Sequence, residues 1–391
     1  MSRISVRMKV TSVEPLQCDA GWTAWTFVKV STDAGITGYG ECTDWRGAHA
    51  LAGGIRDLAP LVVGRDAGAI RAVVRDLSRH TQQNLGGLLT KCIAGIELAL
   101  WDIQGKALGV PVHRLLGGPT RDRVRLYWSH FGSYRARSPE VLGTPPLRTW
   151  DDVAELGRDA VRRGYTALKT NIFAPGAPAN FWTRGDANLD HETLDTAVRL
   201  IGTLREAVGP RVDICLDLNF RFRPEACIRL VRALEPFDLR WIEIDMYDPA
   251  ALRDIRDAAP MPLASLESLN TVRDFLPFLE GHAVDVAVID VPWNGMAQSV
   301  EIATLAATYE INVAPHNYYS HLATFIAAQW SACVTNLAMM EVDVDSAPWR
   351  DDIVTALPEI ADGHMRIPTA PGWGTDLDEA AIAEHPWPRP G

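Results

Sequence analysis

DICLDLN (Asp213–Asn219), RWIEI (Arg240–Ile244) and PLASLES (Pro262–Ser268) are three short apolar runs that each end on a carboxylate: Asp217, Glu243 and Glu267. The acids lie 26 and 24 residues apart, each gap about one strand-plus-helix unit, which sets them at the same end of successive parallel strands. Working outward, the same rhythm places strands at 124–129, 167–172, 212–216, 240–243, 262–265, 284–289, 312–314 and 336–341. Amphipathic stretches at 149–163, 193–208 and 224–234 fill gaps between them as helices. The fold class this predicts is α/β, a (β/α)7β TIM-like barrel. An open doubly wound sheet would want a glycine-rich phosphate loop opening a helix, whereas the run GITGYG (Gly35–Gly40) lies in a hairpin.

Upstream of the barrel, TFVKVSTDAGITGYGE (Thr26–Glu41) reads as two β-rich runs joined at Asp33, Ala34 and Gly35. A helical stretch follows over Ile55–Leu77, and another over Leu88–Leu108 that stops on Gly109 and Pro111. The expected organisation is an N-terminal α+β capping domain over residues 1–123, a barrel over 124–370, and a tail over 371–391 that returns to the cap. The segment Phe173–Asp190 is long for a strand-to-helix loop, and Pro175, Gly176, Pro178 and Gly185 deny it regular structure, so it reads as a lid or a solvated insertion.

Of the 391 residues, 47% are hydrophobic and 22% charged, as in ordinary globular proteins. The formal net charge of -11, without a long basic run, speaks against a nucleic acid or an anionic membrane as partner, while one or two local cations would suffice for a small-molecule carboxylate. The six cysteines form no C-x-x-C pair and no dense framework. MSRISVRMKV carries no apolar stretch long enough for a signal peptide, and the expected location is cytoplasmic.

Three converging carboxylates repel each other and lose solvation, which calls for a cation between them. Oxygen ligands without Cys or His select a hard ion, Mg²⁺ or else Mn²⁺. Taken singly, each acid is as well explained by a salt bridge or a helix cap. Asn219 shares the face of Asp217, and Asn171 that of Lys169, because side chains two apart on a strand point the same way. Lys169 is placed to bind a carboxylate or move a proton, or to reach bulk water from its strand end. Asp290 ends one apolar strand and His316 follows the next, so the carboxylate can accept the imidazole N–H and make the ring a general base. Glu341 ends the last strand, either as a protonated hydrogen-bond donor or as the partner of an arginine.

With these residues in view, ALWDIQGKALGVPVHRLLGG (Ala99–Gly118) resembles the cap-to-barrel junction of the mandelate racemase/muconate lactonizing enzyme branch of the enolase superfamily. The resemblance implies Asp217, Glu243 and Glu267 as ligands of one Mg²⁺, Asp290 and His316 as a catalytic dyad, and Glu341 as a hydrogen-bond donor. It implies loss of the proton alpha to a carboxylate, giving a metal-stabilised enolate. Where several members carry Lys-x-Lys, this chain has Lys169, Thr170 and Asn171, similar to acid-sugar dehydratases, though those relatives carry a His where Asn219 stands. Dehydration of a sugar acid to a 2-keto-3-deoxy acid, with His316 serving both proton transfers, is therefore the expected activity. An epimerase, racemase or cycloisomerase is the alternative, followed by a non-catalytic binding protein. The resemblance further implies cap loops around 17–24 and 44–54 that select substrate through Trp22, Trp45 and Arg46, and homo-oligomers are common in the branch.

Overall fold

The computed structural model describes residues 8–84, 86–177 and 187–387. The chain opens with a three-stranded antiparallel sheet, β1 (Val10–Asp19), β2 (Ala24–Thr32) and β3 (Thr37–Glu41), in the order β1-β2-β3. β2 and β3 form the expected hairpin, with Gly35 at φ +75° supplying the left-handed turn residue. β1 was not expected from the sequence. Pro15 argues against a strand interior, but β1 is an edge strand, where a missing N–H is tolerated.

The helical stretch 55–77 is two helices, α1 (Ala48–Val62) and α2 (Ile70–His80), separated at Gly64, whose φ of +83° a helix does not accept. The third, α3 (Leu88–Leu108), ends where the sequence signals it, with Gly109 left-handed at φ 67°. It lies so close to the sheet that a Cβ on Gly40 would stand 2.1 Å from the Gly95 carbonyl oxygen, and one on Gly38 would stand 2.2 Å from that of Ala99. The glycine-rich GITGYG run therefore lets a sheet approach a helix and cradles no phosphate. A separate apolar core, including Val28, Val30, Leu51, Ile55, Ile96 and Ile103, fills this sheet–helix layer.

Eight parallel strands follow: β4 (Arg123–Ser129), β5 (Ala167–Asn171), β6 (Asp213–Asp217), β7 (Trp241–Glu243), β8 (Leu263–Ser265), β9 (Val286–Asp290), β10 (Asn312–His316) and β11 (Met340–Asp343). They hydrogen-bond in sequence order from β4 to β10, and β11 pairs with β4. The ring closes just before β11, where Val313 N–H donates to Asn336 O (2.9 Å) and Ala338 N–H to Val313 O (2.8 Å). Among the described residues seven helices of nine residues or more intervene: α4 (Trp150–Arg162), α5 (His191–Val208), α6 (Pro224–Leu234), α7 (Pro249–Ala258), α8 (Val272–Glu280), α9 (Met296–Thr308) and α10 (His321–Ser331). α4 starts on a reciprocal capping box between Thr149 and Asp152. The fold is a (β/α)7β TIM-like barrel beside an α+β cap, as the strand rhythm predicts.

Alternation along the strands sorts the barrel. Tyr127, Ala167, Cys215, Trp241, Val288, Ala314 and Met339 fill its interior, and their sequence neighbours, such as Leu126, Leu168, Leu216 and Ile242, pack outward in the helix-covered core. Beyond β11, β12 (Ile360–Ala361) and β13 (His364–Arg366) make a hairpin whose second strand pairs with the start of β4. The chain then returns to the small sheet, where Asp19 N–H donates to His385 O (2.9 Å) and Lys29 pairs with Glu379 (2.7 Å). Part of the expected lid, residues 178–186, and Pro388–Gly391 of the tail lie outside the described residues.

Gly40→Ala should lower stability by about 1–3 kcal/mol, because backbone of α3 blocks the added methyl. A lower urea midpoint at unchanged slope would show it.

Candidate active site

Two residues beyond the interior side chains the strands reach the open end of the barrel, and there seven of the eight place a polar side chain inward, Ser129, Lys169, Asp217, Glu243, Asp290, His316 and Glu341, with Leu266 after β8 the exception. Strand register then chooses neighbours. Asp217 stands opposite Glu243, His316 opposite Asp290, and Asn171 opposite Asp217. Glu267 follows β8 after Leu266, whose φ of +93° is unusual for a leucine and marks a strained turn at the mouth.

Lys169 is the hub of this layer. Its ammonium lies 2.9 Å from Glu243, 2.9 Å from Glu341 and 3.7 Å from Asp217, and its side chain is buried, not extended to bulk water. Burial pulls its pKa down, but the surrounding carboxylates outweigh that and hold it well above the ordinary lysine range. Glu341 accepts from Ser129 Oγ (2.5 Å) and from Asn317 N–H (2.7 Å). Burial pushes Glu341 up, yet Lys169, His316 and His130 bring it to about 2. In this structure both Glu341 carboxyl oxygens therefore accept, and the cation beside it is a lysine rather than an arginine.

His316 Nδ1 lies 2.7 Å from Asp290 Oδ2, which also accepts from Tyr319 OH, while Trp293 N–H donates to Asp290 Oδ1 (2.8 Å). With Nδ1–H fixed on Asp290, Nε2 faces Glu267 at 3.2 Å. Burial lowers the imidazole pKa, but Glu267 above all, then Asp290 and Glu341, raise it to about 10. Asn219 donates through its backbone N–H (2.8 Å) and its side chain (3.2 Å) to Asp217, and Asn171 Nδ2 donates to Asp217 O (3.3 Å).

Asp245 was missed by sequence reading. It is buried two residues beyond Glu243 on the same inward face, a relation that the argument used for Asn171 and Asn219 would have found. Burial, then Glu243 and Asp217, push its carboxyl up to about 7. Burial and neighbouring carboxylates likewise raise Glu243 and lift Glu267 well above the ordinary range. Glu243 Oε1 and Asp245 Oδ2 are buried without a hydrogen-bond donor. Crowded carboxylates with orphaned oxygens are short of positive charge, and oxygen ligands of this kind suit a hard divalent cation by their chemistry, although among the described residues no three acids, imidazoles or thiols stand close enough to share one as placed.

The cap borders this mouth. Trp293 Nε1 donates to Thr43 O (2.6 Å), and the Lys91 ammonium sits 3.1 Å over the Trp293 ring while pairing with Asp44. Trp22 packs on Tyr134 (4.5 Å between rings), and Trp45 lies beneath the Arg137 guanidinium (5.4 Å), so both touch the loop after β4. The structure does not bring Arg46 into the site: it is exposed, and only its backbone N–H bonds, to Asp44 (3.4 Å).

Residues 3–117 match the family model for the mandelate racemase/muconate lactonizing enzyme N-terminal domain, and residues 152–381 match that for the enolase C-terminal domain-like fold. The chain belongs to the enolase superfamily, in its mandelate racemase/muconate lactonizing enzyme branch. Among curated relatives of this branch, a D-xylonate dehydratase from Haloferax volcanii is 30% identical over 96% of this chain and 89% of its own. A D-gluconate dehydratase from Thermoproteus tenax is 27% identical, over 96% of this chain and 74% of its own. A Burkholderia xenovorans strain LB400 structure, provisionally named an L-alanine-DL-glutamate epimerase, is 41% identical with a TM-score of 0.93, covering 97% of this chain and 98% of that one. A second structure of that name, bound to magnesium and fumarate, is 40% identical with the same TM-score, covering 97% and 96%. The protein is thus an enzyme of the enolase superfamily. Among the described residues no helix is long and apolar enough to cross a membrane.

The charge shortage has a measurable consequence in this superfamily member. Asp245, ordinarily near 3.8, is raised to about 7, so the folded, metal-free protein favours its protonated form; that stability is full below about 3.8 and is lost as pH rises through about 7. In EDTA the melting temperature should fall between pH about 5.5 and pH about 8, and Mg²⁺ should restore it at the higher pH. Indifference to both would contradict the charge shortage.

Proposed function

We propose that this enzyme dehydrates a sugar acid to a 2-keto-3-deoxy acid, and the observation that carries the reading is the His316–Asp290 dyad facing a lysine and a carboxylate cluster across the mouth. The dehydratase names of the curated relatives support it. Asp217, Glu243 and Glu267 would hold one Mg²⁺, with Asp245 beside them; the magnesium-bound structural relative favours that ion over Mn²⁺. The ion supplies positive charge where the substrate carboxylate gains electron density as its alpha proton leaves.

The remaining tasks fall to side chains of this chain. Lys169, kept charged by its carboxylate neighbours, binds the substrate carboxylate. His316 removes the alpha proton through Nε2, Asp290 fixing the tautomer, and this nitrogen would be free to accept once a cation takes up the charge of Glu267 that now holds the ring protonated. Asn171 and Asn219 flank the cluster as hydrogen-bond donors and neutral spacers. Trp22 and Trp45 shape the mouth from the cap side. The substrate is thus a small-molecule carboxylate, and with asparagine at 171 and 219 the second and third strands offer no base other than Lys169.

A second reading, epimerisation of a carboxylate, is favoured by the provisional name of the Burkholderia relative. It requires a base opposite His316, and Lys169 is the group in position. Its ammonium is already engaged by Glu243 and Glu341, which favours the dehydratase.

A panel of mono- and diacid sugars with Mg²⁺, assayed for 2-keto acid, tests the proposal; deuterium at the alpha carbon of an otherwise unchanged or inverted acid in D₂O, without 2-keto acid, would establish epimerisation instead. His316→Asn should lose both alpha-proton exchange and dehydration, by about 10²–10⁴-fold. Lys169→Met should raise KM and lower kcat yet leave exchange detectable. Complete loss of exchange at unchanged affinity would make Lys169 the base.

A further inference from the structure

We propose that His130, held by Asp343, is a second acid–base residue of this site and gives the departing β-hydroxyl its proton; the inference rests on the dehydratase reading and replaces the expectation that His316 serves both transfers. His130 follows β4 directly, next to Ser129, whose hydroxyl donates to Glu341. Its backbone is left-handed, at φ 46°, one of three non-glycine residues in that region at strand ends of the mouth, with Asn219 and Leu266. The other two adjoin Asp217 and Glu267. Strain of this kind collects where a side chain is positioned for a task.

The imidazole is built in from several sides. Nδ1 lies 2.8 Å from Asp343 Oδ1, and Asp343 is buried on the inward face of β11 two residues beyond Glu341. One ring face stacks on Tyr134 at 4.1 Å and 7°. Tyr318 meets the ring at 6.2 Å and stands 5.0 Å from the ring of His316, so a single tyrosine separates two histidine–carboxylate dyads. Among the described residues Nε2 of His130 has no hydrogen-bond partner, and 17% of the side chain remains exposed, enough to exchange protons with water.

Other groups at the mouth are less suited to the second transfer. Glu243 and Glu341 occupy the Lys169 ammonium, and Nε2 of His316 is set against Glu267. Asn171 and Asn219 carry no transferable proton, and Arg135 and Arg137, near the same loop, do not deprotonate. In the proposed step His316 accepts the proton from C2. The electron pair released is first held in the substrate carboxylate as an enolate, which His316 can return to the acid. That pair then forms the C2–C3 double bond as the C3–O bond breaks, and His130 passes its Nε2 proton to the oxygen, which leaves as water. The enol gains a proton at C3 and loses one from its C2 hydroxyl to give the 2-keto-3-deoxy acid. His316 is left protonated and His130 neutral, and one proton exchanged through solvent resets both.

The test compares His130→Gln with the wild type, Mg²⁺ present, in D₂O, on the sugar acid that the wild type dehydrates. The variant should form 2-keto acid about 10²–10⁴-fold more slowly while alpha-deuterium exchange persists, so exchange per turnover rises by a similar factor. A β-fluoro analogue, whose leaving group needs no proton, should be eliminated by the variant within about tenfold of the wild-type rate. Asp343→Asn should show the same pattern in milder form. Unchanged dehydration would overturn the proposal, and so would parallel loss of exchange and dehydration with no rescue by fluoride. A wild type that exchanges alpha protons but forms no 2-keto acid from any sugar acid overturns the dehydratase reading, and this proposal with it.

Discussion

Everything at the mouth of this barrel depends on negative charge gathered out of water. Asp217, Glu243 and Asp245 are buried, Glu267 nearly so, and Lys169 is the one lysine among them. Like charges at this spacing are unfavourable unless compensated, which is why the carboxyls of Asp245, Glu243 and Glu267 are raised and why two of their oxygens have no donor. A fold selected for stability alone would replace such a cluster with apolar residues. The proposed function uses this imbalance: a hard cation and, through it, an anionic substrate would relieve the shortage of positive charge.

The cap is fixed to this charged layer by further buried acids. Glu41 at the end of β3 accepts from Ser320, four residues after His316, and from the Ala323 N–H at the start of α10. Asp102 on α3 accepts from Tyr39 N–H (3.0 Å), Trp373 N–H (3.0 Å) and Lys106 (2.7 Å). Trp293 joins the Thr43 carbonyl of the cap to the turn that Asp290 caps. The position of the cap loops and the orientation of the dyad are therefore set by one continuous run of hydrogen bonds, so a substitution in the cap can reach the imidazole without touching substrate.

The apolar strand rhythm, its polar ends and the helix stop at Gly109 are local properties, and they were legible in the chain alone. A strand of period two and a helix of period 3.6 write their faces into sequence, so the barrel, the carboxylates on three successive strands, Lys169 and the Asp290–His316 pair could all be placed by counting. The same counting reaches Asp245 and Asp343, each two residues from a position already marked, and those were simply passed over. Boundaries were less secure: Pro15 concealed the edge strand β1, and Gly64 divided a stretch that looked like one helix.

Tertiary structure decided which groups meet. That Lys169 lies against Glu243 and Glu341, that Glu341 is therefore ionised, and that His316 turns Nε2 toward Glu267 depend on strand register and on burial, which set the local field. His130 is a lone histidine after a strand in the sequence. It becomes half of a second dyad only when the closing of the barrel brings β11, more than two hundred residues later, beside β4. Sequence determines the period and the polarity of each strand because these follow from neighbouring residues; the charge state of a side chain follows from groups distant in the chain, and only the closed barrel brings them within reach.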